Sequence, residues 1–110
     1  MSQAIQAQGP VRVYQPRVDV YENTDELLLL ADVPGASPES VNIRYEDELL
    51  TLQAQRTAAI GPNLRYERAF SVPESVDPDK ISAELKQGVL HVHLPKAEKA
   101  KPRTIQIQSS

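Results

Sequence analysis

The chain has 110 residues, enough for one domain of ordinary size, and its 15 aspartates and glutamates outnumber its 12 lysines and arginines. The formal net charge of −3 gives no support to nucleic-acid binding, which favours a basic face. Cysteine is absent, which excludes disulfides and thiolate metal sites and is compatible with a reducing compartment.

The apolar segments are short, and the longest unbroken run covers only residues 27–31. A membrane span needs roughly 18 apolar residues. The N-terminal residues also lack the basic, apolar and small-residue order of a signal peptide. We therefore expect a soluble cytoplasmic protein that binds no membrane.

Nine prolines spread along the chain leave little room for a long helix. Residues 1–10 show no periodicity and predict a short flexible arm. Valines that alternate around Pro16 predict two successive strands. Residues 27–33 predict a third strand, whose leucine run suggests burial on both faces or cover by the chain ends, and Pro34 and Gly35 end it.

Period-two alternation continues through the middle of the chain. Residues 41–45 predict a half-buried strand, and the acidic residues 46–48 predict a turn into a partner strand at residues 49–54. A glycine and a proline mark a loop at residues 58–63, and residues 66–72 predict the next strand.

The last pattern predicts a hairpin. Residues 81–85 and 90–94 both alternate, and Gln87 and Gly88 form the tight turn between them, where Gly88 supplies the positive φ that such a turn needs. Pro95 ends the pattern.

Short strands with turns every eight to twelve residues or so are typical of a β-sandwich. We expect an all-β, immunoglobulin-like sandwich of two antiparallel sheets with about seven strands. The expected division is an arm at residues 1–10, one domain at residues 11–95 and a C-terminal extension at residues 96–110.

Three motifs follow one another along the chain. They are Ala-Asp-Val-Pro-Gly at residues 31–35, Tyr-Glu-Arg-Ala-Phe-Ser-Val-Pro at residues 66–73, and Ala-x-x-x-x-Gly-Val-Leu at residues 83–90. The hairpin residues of the third motif are Gly88, Val89 and Leu90.

An Ile-x-Ile motif follows at residues 105–107. In this order and spacing, the four motifs resemble those of the small heat-shock protein family and its alpha-crystallin domain, over residues 16–107. The resemblance implies an ATP-independent holdase chaperone that binds unfolding proteins and prevents their aggregation. It implies no catalytic site and no cofactor, so we do not expect an enzyme.

The resemblance also implies a peptide-binding groove between two strands. Carried over residue by residue, the groove is lined by Val41, Ile43, Tyr45, Ile81 and Ala83. Such a groove suits extended peptides, because they add main-chain hydrogen bonds and place alternate side chains in pockets. The alternative is that some of these residues fill the sandwich core, since alternation does not tell which face points inward.

Ile105 and Ile107 lie at positions i and i+2 of an extended segment, so both side chains point the same way. A charged, proline-containing tether separates them from the domain. The resemblance implies that they dock in the groove of another subunit, and the alternative is that they dock on their own domain. Self-association through this tail would give a dimer or a modest oligomer.

Two departures from the family bear on assembly. The stretch between Arg56 and Arg68 is short, whereas many relatives carry there a strand that is exchanged in the dimer, and the N-terminal arm is short. By resemblance Arg68 lies at a dimer interface, and the alternative is that it pairs within its own sheet. The short arm keeps open a second function, in which the protein is a non-catalytic partner subunit of another small heat-shock protein. A co-chaperone-like interaction module is the other form of this alternative.

Other polar residues give weaker indications of a functional site. His91 and His93 share one face of a strand, but a metal site needs at least a third ligand. Asp77 and Asp79 are interpreted as turn residues. Glu48 stands where many relatives have glycine, which suggests a modified turn.

Overall fold

The computed structural model describes residues 11–57, 62–72 and 75–98. These residues form eight strands and two short 3-10 turns, Pro38–Ser40 before β4 and Pro78–Lys80 before β7. In chain order the strands are β1 (Val11–Tyr14), β2 (Val18–Glu22), β3 (Glu26–Asp32), β4 (Asn42–Glu46), β5 (Leu49–Arg56), β6 (Asn63–Ser71), β7 (Ser82–Lys86) and β8 (Val89–Pro95).

The strands form two sheets of four, in the orders β1-β6-β5-β4 and β2-β3-β8-β7. Every neighbouring pair is antiparallel except β1 and β6, which are parallel. The predicted all-β sandwich is therefore confirmed. The parallel edge pair was not expected, because an alternating pattern carries no information about strand direction.

The core lies between the sheets and takes its side chains from the inward positions of the central strands. Tyr66 is the largest of them, and its hydroxyl donates a hydrogen bond to the carbonyl oxygen of Pro34 at 2.7 Å. Burial raises the pKa of Tyr66 above its usual value of 10.0, so this donor stays protonated. The buried apolar residues of the described segments are Leu29, Ala31, Val33, Leu50, Leu52, Ala54, Tyr66, Val72, Val76, Leu90, Val92 and Leu94.

The leucine-rich strand β3 is buried on one face only. Leu29 points into the core, whereas Leu28 and Leu30 lie half-buried on the outer face, opposite His93 and His91 of β8. Full burial on both faces is therefore not observed, and most of the chain ends proposed as its cover lie outside the described residues.

Both tight hairpins have positive φ at their two central residues. The values are 48° and 80° for Gln87 and Gly88, and 53° and 63° for Asp47 and Glu48. Positive φ at both positions is the requirement of a type I′ turn, which matches the twist of the flanking strands. The positive φ predicted for Gly88 is confirmed. The turn at Glu48 has the same positive φ without a glycine.

Candidate functional site

The two edge strands β4 and β7 lie at the same end of the sandwich, one from each sheet. Two cavities open between them, of about 370 Å³ and 280 Å³. Ile43 and Ala83 line both cavities, so the two adjoin and form one groove, which we call the β4–β7 groove. The first cavity is completed by Pro38, Val41, Glu84, Leu85 and Leu90, and the second by Tyr45, Pro78, Ile81 and Ser82.

The five residues predicted to line the groove are therefore brought together. Pairing of Ile43 with Leu52 and of Ala83 with Val92 turns both side chains toward the inner faces of their sheets. Because the strands are at the edge, the opposite sheet covers them only in part. Val41, Ile43, Tyr45 and Ile81 are half-buried against the core, and Ala83 is exposed.

Alternation left open whether these residues fill the core or line a groove, and the edge position of β4 and β7 answers that question. The inward side chains of β4 and β7 pack on the core and remain accessible from the side. The short side chain of Ala83 leaves the space where the two cavities meet.

The backbone of the groove also has binding capacity. In the described part of the chain, β4 pairs only with β5 and β7 pairs only with β8, so each has one edge without a neighbouring strand. The unpaired N–H and C=O groups of such an edge can bond an added strand. Tyr45 closes one wall, and its hydroxyl donates to the carbonyl oxygen of Val72 at 3.3 Å.

Six residues that line the groove were not predicted, namely Pro38, Pro78, Ser82, Glu84, Leu85 and Leu90. Leu85 continues the alternation of Ile81 and Ala83, so the sequence did carry a signal for it. The prolines begin the two 3-10 turns that lead into β4 and β7, and only the fold shows that these turns border the groove.

Arg68 is held by contacts within its own chain. One guanidinium nitrogen, Nη1, donates to the carbonyl oxygen of Pro16 at 2.9 Å, and the group lies over the ring of Phe70, 5.0 Å from its centre. Its role at a dimer interface stays a prediction.

The C-terminal anchor residues Ile105 and Ile107 lie outside the described residues. The end of β8 is well fixed, because the backbone N–H of Lys96 donates to Asp25 O at 2.8 Å and that of Asp77 donates to Pro95 O at 2.9 Å. The last described residues after β8 therefore lie beside the turn that begins at Pro78, which borders the groove.

The remaining polar signals have structural explanations. His93 Nδ1 lies 3.2 Å from a carboxylate oxygen of Glu26, and His91 Nδ1 lies 3.2 Å from the carbonyl oxygen of Val89. Asp77 accepts a hydrogen bond from the backbone of Asp79 at 3.1 Å, as expected of a turn residue.

Within the described segments, no three histidine, aspartate or glutamate residues are placed together to hold a metal ion. None of the helices in these segments is long and apolar enough to cross a membrane.

Comparison with known proteins agrees with this geometry. A model of the Hsp20/alpha crystallin family matches residues 19–108. The chain is 38% identical over 107 residues to the probable 15 kDa heat shock protein of Leptospira interrogans, covering 89% of this chain and 80% of that protein. It is 34% identical over 100 residues to 18 kDa antigen 1 of Mycobacterium intracellulare, covering 82% and 66%.

Solved structures show the same likeness. A small heat-shock protein from Xylella fastidiosa matches with a TM-score of 0.70 and 28% identity, covering 87% of this chain and 98% of that one. The hspA protein from Xanthomonas axonopodis matches with a TM-score of 0.67 and 28% identity, covering 76% and 94%. The chain belongs to the Hsp20/alpha crystallin family, the small heat-shock proteins, which are chaperones.

Proposed function

We propose that this protein is an ATP-independent holdase, which binds segments of unfolding proteins in the β4–β7 groove and prevents their aggregation. The groove is the observation that carries the proposal, because it combines accessible apolar side chains with strand edges that have no neighbouring strand among the described residues. Unfolding proteins expose the matching features, apolar side chains on unpaired backbone.

An extended segment can contact the groove in two ways at once. Its backbone can add to the free edge of β4 or β7, and this contact does not depend on sequence. Its side chains at i and i+2 lie about 7 Å apart on one face. Two adjoining cavities can accept such a pair, so the site favours apolar residues at alternate positions.

The C-terminal residues Ile105 and Ile107 have this same spacing, and we propose that they bind the same groove. Burying each isoleucine contributes roughly 1.5–3 kcal/mol. Ordering each tether residue costs on the order of 1–2 kcal/mol, which opposes much of that gain. One docked tail is therefore weak and reversible, and unfolding proteins can displace it.

Whether the tail can dock in its own subunit or in a neighbour depends on the length of the tether. Six residues lie between Glu98 and Ile105, so their Cα atoms are seven residue steps apart, which is about 23–25 Å when the chain is extended. Chain length therefore allows docking in the same subunit or in a neighbour. We favour docking between subunits, which gives a dimer or a modest oligomer because several weak contacts act together.

Suppression of client aggregation tests the holdase function. A heat-denatured client is followed by light scattering with stoichiometric protein and no ATP, and we expect suppression by the wild type. Ala83→Glu places a charge where the two cavities meet, at an exposed position that leaves the core intact. We expect this variant to lose several-fold in potency.

The matched control is Ala69→Glu, the same change at an exposed position on the outer face of β6. It should retain wild-type potency. Wild-type protein that fails to suppress aggregation even at several-fold excess would refute the holdase. That result would favour the alternative of a partner subunit or an interaction module. Equal potency of Ala83→Glu and Ala69→Glu would place client binding elsewhere.

A further inference from the structure

A third cavity, of about 410 Å³, shares no lining residue with the β4–β7 groove. It forms where the ends of β1, β3, β5 and β6 converge, and Arg56 at the end of β5 contributes its side chain. We call it the Arg56 cavity.

Arg56 carries an unsatisfied donor. Its Nε is buried without a hydrogen-bond partner, and its side chain forms no ion pair within the described part of the chain. A buried donor that lacks an acceptor is costly. The position of this side chain depends on Gly35, because a Cβ there would lie 2.5 Å from the Cδ of Arg56. The backbone thus makes room for an arginine whose Nε has no acceptor in the described chain.

The charges of the cavity favour an anion. Arg17 and Asp32 also line it, so two guanidinium groups face one carboxylate. Arg17 is accessible, with its side chain 77% exposed, and its nearest carboxylate, that of Asp19, is 4.0 Å away. Asp32 forms no ion pair with either arginine within 4.0 Å.

The walls of the cavity are largely apolar. The rings of Tyr14 and Tyr66 meet edge to face, with centres 6.0 Å apart, and Leu64 and Pro34 complete the wall. Tyr14 is 55% exposed, which leaves an aromatic surface at the entrance. The hydroxyl of Tyr66 already donates to Pro34, so the charged donors left for a ligand are the guanidinium groups of Arg56 and Arg17.

We propose that the Arg56 cavity is a second peptide-binding site, which takes a glutamate or aspartate side chain of an extended polypeptide with an apolar residue beside it. The carboxylate pairs with the guanidinium of Arg56, and the apolar neighbour packs on Tyr14 and Leu64. The β4–β7 groove selects apolar pairs and the Arg56 cavity selects a carboxylate, so the two sites differ in the side chains they prefer.

An NMR titration tests the proposal with two blocked pentapeptides, acetyl-Gly-Leu-Glu-Leu-Gly-amide and the same peptide with glutamine in place of glutamate. A charge-assisted hydrogen bond should favour the glutamate peptide by about tenfold or more. We expect shifts of the ring signals of Tyr14 and Tyr66. Added salt should weaken the preference where the pair is accessible.

Arg56→Met removes the charge and keeps an unbranched stem. We expect it to lose the preference for the glutamate peptide while melting no lower than the wild type, since no partner of Arg56 is lost. If Arg56 only stabilised the fold, Arg56→Met would keep the preference for the glutamate peptide and melt at a lower temperature than the wild type. Arg44→Met is the control, because it removes the same charge from an exposed site on the outer face of β4. It should retain the preference.

The proposal is overturned if the wild type binds both peptides with equal affinity, or if only the NMR signals of Ile43 and Ala83 shift. It is also overturned if Arg56→Met keeps the preference for the glutamate peptide. Sodium acetate that binds as tightly as the glutamate peptide would show a site for small anions and would also overturn it. If Arg56→Met fails to fold, Arg56→Gln is titrated in its place, and a retained preference in that variant has the same meaning.

Discussion

At the scale of single residues, the two tight turns show how similar backbone requirements are met by different side chains. Gly88 adopts a φ of 80° without steric cost, whereas Glu48 adopts 63° with a side chain, which is less favourable in this left-handed conformation. Both turns support neighbouring structure, because Gly88 O accepts from Val33 N and Glu48 O accepts from Val72 N, each at 2.8 Å.

Gly88→Val should destabilise the fold. A β-branched residue at this φ is strained by on the order of 1–3 kcal/mol. Its Cβ would also lie 3.3 Å from the Cα of Pro34, a backbone atom with little freedom to move. Thermal unfolding by circular dichroism should show a midpoint lower by several degrees, with Gly88→Ala in between. An unchanged midpoint for valine would contradict the positive φ.

Glu48→Gly should stabilise the fold. It relieves a left-handed conformation that costs a side-chain-bearing residue roughly 1–2 kcal/mol, and the greater freedom of glycine in the unfolded chain returns part of this gain. The change also creates Asp-Gly, a favoured pair for a type I′ turn.

We expect a net gain of about 0.5–1 kcal/mol for this variant, seen as a rise of a few degrees in the same melting experiment. Glu48→Ala is the control, because it removes the charge and keeps the strain, and it should melt close to the wild type. A Glu48→Gly variant that melts no higher than Glu48→Ala would show that the turn is unstrained.

At the scale of elements, the sequence predicted where the strands lie but not which strands pair with each other. Alternation located β4, β5, β7 and β8 because each has one face turned toward the core and one turned toward solvent. The parallel pairing of β1 with β6 depends on contacts between residues about 50 positions apart, such as Val11 and Asn63, which no local pattern encodes.

The two candidate sites also differ in whether the sequence predicted them. The resemblance to a known family predicted the groove through Val41, Ile43 and their partners, since its motifs mark those strands. The Arg56 cavity was not predicted, because its walls come from four strands and the significance of Arg56 appears only when its missing acceptor is seen.

At the scale of the whole molecule, the tail decides assembly if the proposed docking is correct. Ile105→Ala combined with Ile107→Ala removes most of the apolar area available for docking, and we expect a shift toward the smaller species. Size-exclusion chromatography with light scattering at equal concentrations measures the change. Identical masses, together with equal protease sensitivity of the two tails, would mean that the isoleucines do not anchor assembly.

The β4–β7 groove joins two strands that belong to different sheets. No backbone ladder ties β4 to β7, so the width of the groove is set by packing of side chains such as Ile43 and Leu85 between the sheets. Rotamer changes can widen or narrow it while every strand keeps its hydrogen bonds. Such a groove has an adjustable aperture, which can admit small and large side chains in turn without loss of the fold.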